Sequence, residues 1–138
     1  MIRFSRREDY AVILITKLAQ NYNKRLVPLT EVSKEYNISI LFLRNLASDL
    51  RNSGIIKAVE GKNGGYFLQK DPKKLLMKDV LSAFSKEPLL ECCPAGITHK
   101  GICPKSGFCQ PGFIWRRLNK DFIEKISNLS IDQFMKYE

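Results

Sequence analysis

The segment "LTEVSKEYNISILFLRNLASDLRNSG", residues 29–54, decides the fold of this chain. It predicts a two-turn helix over residues 29–36 and a second helix that follows Ser39, its expected N-cap, and ends at Gly54. Asn37 lies between them and tolerates the left-handed conformation that a sharp turn needs. The predicted inward stripe of the second helix consists of Leu43, Leu46, Ala47 and Leu50. Two helices joined this closely indicate a helix-turn-helix unit.

The residues after this unit extend it to a winged helix. "IIKAV" (55–59) and "YFL" (66–68) predict two short strands, and "EGKNGG" between them predicts the glycine-rich tip of a hairpin. The expected fold class is therefore mainly α (α+β): a winged helix-turn-helix domain with a long C-terminal dimerisation helix. We expect three parts, which are a DNA-binding domain over 1–84, a cysteine-rich loop over 85–112, and a dimerisation helix with a C-terminal cap over 113–138.

Further helices are predicted on both sides of this unit. "SRRE" (5–8) predicts a capping box that opens a helix reaching about Asn23. "PKKLLMKDVLSAF" (72–84) predicts a short helix, and residues 113–129 predict a long one. Its apolar stripe consists of Trp115, Leu118, Phe122, Ile126 and Leu129. Such a stripe favours self-association, although packing onto the parent domain would also cover it.

Composition and charge limit the classes of binding partner expected for this protein. The 138 residues carry a net charge of +9, which fits a polyanion such as nucleic acid, or a lysine-rich solvated surface. The longest apolar run, residues 10–15, is too short to cross a bilayer, so no membrane partner is expected. No signal peptide is evident, and a reducing cytoplasm is the expected location. There, clustered cysteines bind metal or perform redox chemistry more often than they form structural disulfides.

All four cysteines and the single histidine lie in "ECCPAGITHKGICPKSGFCQPG", residues 91–112. Thiolates are soft, charge-rich ligands that suit iron–sulfur cores, and glycine and proline let a loop wrap around such a core. Nucleophile–base pairs and phosphate-binding loops are not evident in the sequence, so an enzyme is not expected.

Taken together, these motifs resemble the IscR/NsrR (Rrf-two) family of iron–sulfur transcription regulators. The resemblance rests on "DYAVILITKLA", "NISILFLRNLASDLRNSGII" and "GKNGGYFL", on a five-residue gap between Cys103 and Cys109, and on Trp115 six residues beyond. It implies a homodimer that acts as a repressor by binding double-stranded DNA at a palindromic promoter site, with an iron–sulfur cluster in each subunit. It also implies that the cluster controls operator affinity while sensing nitric oxide, redox state or iron–sulfur supply.

The expected cluster ligands are Cys93, Cys103 and Cys109, with Cys92 as an alternate for Cys93. The fourth ligand is open, because Gly112 stands where IscR-like members carry a histidine. The resemblance to NsrR-like members implies Asp9, supplied by the partner subunit to a 4Fe–4S cluster; a 2Fe–2S cluster remains an alternative. Other fourth-ligand alternates are His99 and Glu8.

Three other interpretations stay open at this point. Zinc could be held by Cys93, His99, Cys103 and Cys109. The regulator could lack a cluster and act through a partner protein, or use a thiol–disulfide switch at Cys92 and Cys93. Finally, the winged helix could be a protein-interaction module.

The second helix of residues 29–54 is the expected recognition helix, which enters the major groove with its N-terminal residues foremost. Residues expected within reach of bases or phosphates are Ser39, Leu41, Phe42, Arg44 and Asn45. Arg44 is the best candidate for guanine, because its forked guanidinium matches two acceptors. Lys62 and Asn63 are expected to contact DNA from the wing tip, where Glu60 replaces the arginine usual in the family. Expected phosphate neighbours are Arg3, Arg6, Arg7 and Arg51.

Overall fold

The computed structural model describes residues 6–84, 97–98, 101–102, 108 and 110–137. The helices are α1 (Arg6–Gln20), α2 (Leu29–Tyr36), α3 (Ile40–Asn52), α4 (Met77–Ser82), α5 (Gln110–Ser127) and α6 (Ile131–Met135). The strands are β1 (Ile56–Val59), β2 (Gly65–Leu68), β3 (Ile97–Thr98) and β4 (Gly101–Ile102). The chain order helix, helix, hairpin confirms the predicted winged helix-turn-helix.

The turn between α2 and α3 forms as the sequence predicts. Asn37 is left-handed, with φ 53° and ψ 48°, and the Ile38 N–H donates to Ser33 O at 3.2 Å. Ser39 occupies the N-cap of α3, but the expected capping bond from its side chain is not made. The Ser39 hydroxyl therefore makes no hydrogen bond to the first turn of α3.

The wing is an antiparallel hairpin in which Ile56 pairs with Leu68 and Val59 with Gly65. Val27 bridges to Tyr66 through two backbone hydrogen bonds of 3.0 and 2.8 Å, so the α1–α2 connection adds a third extended segment. Gly64 closes the tip, because a Cβ there would lie 2.1 Å from Val59 O. The tip is therefore restricted to glycine at this position.

One hydrophobic core joins the helices to the wing. The predicted inward stripe of α3 is confirmed, since Leu43, Leu46, Ala47 and Leu50 are all buried. α1 packs on α3 and contributes Leu14, Ile15 and Leu18. It ends at Gln20 rather than near Asn23, because the N–H groups of Asn21 and Tyr22 turn to carbonyls three residues back and Asn23 takes a positive φ of 57°.

The starts of α4 and α5 also differ from the sequence prediction. α4 starts at Met77 rather than residue 72, because the Asp71 carboxylate accepts the Lys73 N–H at 2.9 Å and holds a turn, after which Leu76 is extended. α5 starts at Gln110 rather than residue 113, and Pro111 is accommodated in the first helical turn, where no intrahelical N–H donor is needed.

The C-terminal cap returns to the winged domain. The Ile131 N–H donates to Leu75 O at 2.8 Å, the Met77 N–H donates to Leu129 O at 2.8 Å, and Ile131 is 1% exposed. α6 also packs against α1. Residues 130–135 therefore contribute Ile131 to the same hydrophobic core as the winged helix.

The cysteine-rich segment contains a short hairpin that the sequence did not predict. β3 and β4 pair antiparallel, with Ile97 opposite Ile102 and Thr98 opposite Gly101. Ile97, Thr98 and Ile102 are β-branched, and such side chains favour extended backbone.

Candidate nucleic-acid interface

α3 turns a polar face outward along its whole length. Leu41, Arg44, Asn45, Ser48 and Arg51 are exposed, while the residues of its inward stripe lie in the core. This division follows from the 3.6-residue period, since positions three and four apart share a face. The structure therefore brings four of the expected DNA contacts of α3 onto one surface: Leu41, Arg44, Asn45 and Arg51.

Phe42 has a different environment from these residues. It is half-buried and packs against the core, and its ring meets Tyr10 of α1 edge to face at 5.5 Å between centroids. Aromatic pairs of this geometry stabilise helix packing. The ring of Phe42 is thus directed to α1, which fixes the position of the first turn of α3.

The start of α1 lies against the C-terminal half of α3. Arg7 forms a hydrogen-bonded ion pair with Asp49, and its guanidinium carbon lies 5.8 Å from the centroid of the Phe84 ring. A phosphate contact by Arg7 would therefore compete with its ion pair to Asp49. Arg6 is exposed beside it, whereas Arg3 lies outside the described residues.

The wing tip presents Lys62 and Asn63 to solvent, with Glu60 exposed at the end of β1. The Ile55 N–H donates to Leu50 O at 3.0 Å, which joins the end of α3 directly to the strand that leads to the tip. The end of α3 and the first strand of the wing are therefore joined directly through the backbone.

The cations of the domain divide into paired and unpaired groups. Lys17 Nζ lies 2.6 Å from Glu35 and 3.5 Å from Glu31, and Arg25 contacts both oxygens of Glu31 at 2.6 and 2.8 Å. The hydrogen bond from Arg25 lowers the pKa of Glu31 to about 2. These pairs join α1 and the connection that follows it to α2.

Among the residues that the structure describes, no ion pair engages Arg44, Arg51, Lys57 or Lys62. Unpaired cations grouped on one face produce a positive potential that attracts a polyanion. α3 and the wing therefore carry unpaired positive charge, as do exposed lysines elsewhere in the described part of the domain, among them Lys24, Lys34, Lys73 and Lys78.

Sequence reasoning missed two polar groups of this surface. Ser48 is exposed on α3 between Arg44 and Arg51, and Lys57 is exposed on β1. Ser48 follows Arg44 by four residues, so helical periodicity could have identified it. Lys57 alternates with the buried Ile56, which is the strand signal for an outward side chain.

The expected cluster ligands lie mostly outside the described residues. Cys92, Cys93, His99, Cys103 and Cys109 are not described, and α5 begins directly after Cys109. Of the carboxylates, Asp9 is exposed on α1, whereas the neighbouring Glu8 is 5% exposed. Exposure makes Asp9 the more accessible oxygen ligand, and the donor set of three thiolates and a carboxylate fits an iron–sulfur group in its chemistry.

The helix-turn-helix, the wing and the cationic outward face define a winged-helix DNA-binding protein. The sequence model of Rrf2, described as an iron-dependent transcriptional regulator, matches residues 4–137. The chain therefore belongs to the Rrf2 family, and the family resemblance seen in the sequence is confirmed.

Individual relatives agree with this family. The transcriptional regulator IscR of Klebsiella pneumoniae is 28% identical over 134 residues, which cover 97% of this chain and 80% of the relative. IscR of Escherichia coli K12 matches with the same identity and coverage. Because the relatives are transcription regulators, the prediction that the chain is no enzyme is also confirmed.

Solved structures show the same fold. CymR, the global cysteine regulator of B. subtilis, matches with a TM-score of 0.79 at 21% identity, over 100% of this chain and 99% of that one. IscR of T. potens matches with a TM-score of 0.74 at 21% identity, over 98% and 87% of the two chains. Within the described ranges, no helix is long and apolar enough to span a membrane.

Proposed function

We propose that this Rrf2-family regulator binds a palindromic promoter operator as a homodimer, and that an iron–sulfur cluster in residues 91–112 controls its affinity for that operator. Transcription regulation through DNA follows from the family; the dimer, the cluster and its signal are the proposal. The observation that carries the DNA contact is the row of unpaired polar side chains on α3.

For DNA contact, we assign the base edges to Leu41, Arg44 and Asn45, and phosphates to Ser39, Arg6 and Arg51. Arg44 has no ion-pair partner among the described residues, so its guanidinium can donate to guanine without first leaving a carboxylate. Lys62 and Asn63 extend the contact from the wing. Phe42 supports this surface from behind through its packing on Tyr10.

The apolar face of α5 supports self-association. Phe113, Ile114, Trp115 and Leu118 are between 42% and 54% exposed, which is unusual for four large apolar side chains in one and a half turns. Further along, a groove of about 270 Å³ lies between α5 and α6, lined by residues that include Phe122, Ile126 and Phe134. A two-fold pairing of α5 with its copy would remove this apolar surface from water and place two recognition helices on one duplex.

Four cysteines between residues 92 and 109, on the N-terminal side of α5, are the basis for the proposed cluster. We assign Cys93 (or Cys92), Cys103 and Cys109 as thiolate ligands and Asp9 of the partner subunit as the fourth ligand, with His99 and Glu8 as alternates. A 4Fe–4S cluster would supply a redox-active, gas-reactive group at the start of the dimer helix. A carboxylate is a harder ligand than thiolate, so its bond to iron is the more easily displaced.

The position of Asp9 couples this ligand to the DNA-binding surface. It lies two residues after Arg7, which pairs with Asp49 of α3, and one residue before Tyr10, which packs on Phe42 of the same helix. A displacement of the first turn of α1 would therefore change the position of α3 through both contacts. This arrangement is a route by which cluster loss changes operator affinity in a reducing cytoplasm.

The test begins with anaerobic purification. We expect brown protein with iron and acid-labile sulfide, a dimer by light scattering, and an operator affinity that changes when the cluster is removed by nitric oxide or chelation. Asp9→Ala should alter the absorbance spectrum or the rate of cluster loss. The matched control is Asp121→Ala, which removes an exposed carboxylate from α5 outside the apolar stripe.

Other results would select among the alternatives. Colourless protein with one zinc per chain would indicate a zinc-bound regulator. Metal-free protein that binds its operator equally well before and after iron treatment would indicate a cluster-less regulator that works through a partner protein or through its thiols. Metal-free protein that binds no duplex would indicate a protein-interaction module.

A further inference from the structure

Leu41 is the one large apolar side chain among the exposed residues of α3, a helix that the structure describes in full. Its side chain is 66% exposed, although its sequence neighbours Ile40 and Phe42 both pack against the core. The rest of this face is polar or charged. A single exposed leucine is ordinary on a protein surface and indicates nothing by itself. The reason to expect a contact outside the chain is its place among Arg44, Asn45 and Ser48, on the face of α3 that is proposed to enter the major groove.

Helical geometry places Leu41 at the middle of this face. With about 100° of rotation per residue, Ser48 lies about 20° to one side of Leu41, and Arg44 and Asn45 flank it at about 60° and 40° on opposite sides. A helix that enters the major groove with Arg44 and Asn45 toward the bases therefore directs Leu41 to the floor of the groove. The phosphates lie at the flanks, where Leu41 could make no favourable contact.

The floor of the major groove offers one apolar group to such a side chain. Guanine, cytosine and adenine present hydrogen-bond donors and acceptors there, whereas thymine adds its C5 methyl group. A leucine against any other base edge would leave that edge without its water. Leu41 and thymine are thus the pairing in which apolar surface is buried on both sides.

We propose that Leu41 is a specificity-determining residue that recognises one thymine in each half-site by packing on its methyl group. This inference rests on the proposed docking of α3 in the major groove. Leu41 precedes Arg44 by about 4.5 Å along the helix axis, and base pairs are about 3.4 Å apart. The thymine should therefore lie one or two base pairs from the guanine that Arg44 contacts.

The experiment removes the methyl group and nothing else. An operator is selected from random duplexes with the purified, anaerobic full-length protein, and each thymine is then replaced singly by deoxyuridine. We expect one position per half-site at which the substitution weakens binding by about threefold to fourfold, the fold-change that corresponds to one buried methyl group. Thymines elsewhere in the duplex are the internal control and should be insensitive.

The protein variants assign that effect to Leu41. In Leu41→Ala, the thymine and deoxyuridine operators should bind with equal affinity. Leu41→Met retains an apolar side chain of similar size and should keep the discrimination. Because Leu41 is largely exposed, both variants should show unchanged circular dichroism and thermal unfolding.

The outcomes separate this inference from the wider proposal. Binding in which no thymine is sensitive, or in which the sensitivity persists in Leu41→Ala, overturns the role of Leu41 while leaving α3 as the DNA-binding helix. Failure to select any duplex overturns the docking of α3 and this inference together.

Discussion

Replacement of Arg51 by glutamine should lower the salt dependence of operator binding, whereas the same change at Arg25 should not. Both arginines are exposed and both changes remove one positive charge per chain. Arg51 has no ion-pair partner among the described residues, and helical rotation places it about 80° from the midline of the outward face, where phosphates flank a bound helix. Arg25 is held by both carboxylate oxygens of Glu31.

The magnitude follows from counterion release. Each lost phosphate contact reduces the slope of log affinity against log salt by about 0.9, or by about 1.8 for the two subunits of the proposed dimer. Between 50 and 200 mM salt, the wild-type affinity should therefore fall about 12-fold further than that of Arg51→Gln. Fluorescence anisotropy with a labelled operator at four or more salt concentrations measures both slopes.

Two results would refute this reasoning. An unchanged slope for Arg51→Gln would remove Arg51 from the DNA contacts. An equal decrease for Arg25→Gln would show that total charge, rather than the pairing of individual cations, determines binding. Thermal unfolding is the control that Arg51→Gln remains folded. Only a small decrease in stability is expected, because a cation in the last turn of a helix contributes only about 0.3–1 kcal/mol.

Three further predictions concern base preference and stability. Arg44→Ala should weaken discrimination at one base pair per half-site by about 1–3 kcal/mol, and competition with single-base operator variants measures it; uniform weakening would make Arg44 a phosphate contact. Ile131→Ala should lower the free energy of unfolding by about 2–5 kcal/mol in urea titrations, because Ile131 is 1% exposed in the core; a loss below about 1 kcal/mol would contradict the docking of α6. The pKa of Glu31 is lowered to about 2 from 4.5, so its stabilising charge is present above pH 4.5 and is lost as pH falls toward 2. Glu31→Gln should therefore flatten this part of the stability profile, and an identical acid profile for both proteins would refute the pair.

Much of the winged helix could be predicted from local signals. The turn at Asn37 and the inward stripe of α3 both depend on residues close in sequence, and both formed as expected. Local signals also failed in a consistent way at helix starts. α4 does not start directly after Asp71, because the Asp71 carboxylate accepts a backbone N–H and holds a turn there. α5 does not start after Pro111, because a proline is tolerated in the first turn of a helix.

Contacts between distant segments could not be predicted. Ile131 reaches the core because the backbone of residues 129–131 bonds to residues 75–77, and a sequence pattern shows only that Ile131 is apolar. The same is true of Arg7, whose pairing with Asp49 across 42 residues changes it from a free cation into part of the α1–α3 contact. The proposed cluster ligands are a different case, since the sequence brings the thiolates together but suggests Asp9 only through the family resemblance. The exposure of Asp9 and the burial of Glu8 support Asp9 within that proposal.

The arrangement of side chains on α3, more than the number of charges, supports the proposed DNA-facing surface. A net charge of +9 fits a solvated lysine-rich surface as well as a nucleic-acid interface. In the described part of the chain, Lys17 and Arg25 form ion pairs, but the exposed cations without an ion pair include Lys24, Lys34, Lys73 and Lys78 as well as Arg44, Arg51 and Lys62. Pairing alone therefore does not select one face of the domain. What distinguishes the outward face of α3 is that Arg44, Asn45, Ser48 and Arg51 lie on it together, with the apolar Leu41 at its middle, where the bases rather than the phosphates would lie in the proposed docking.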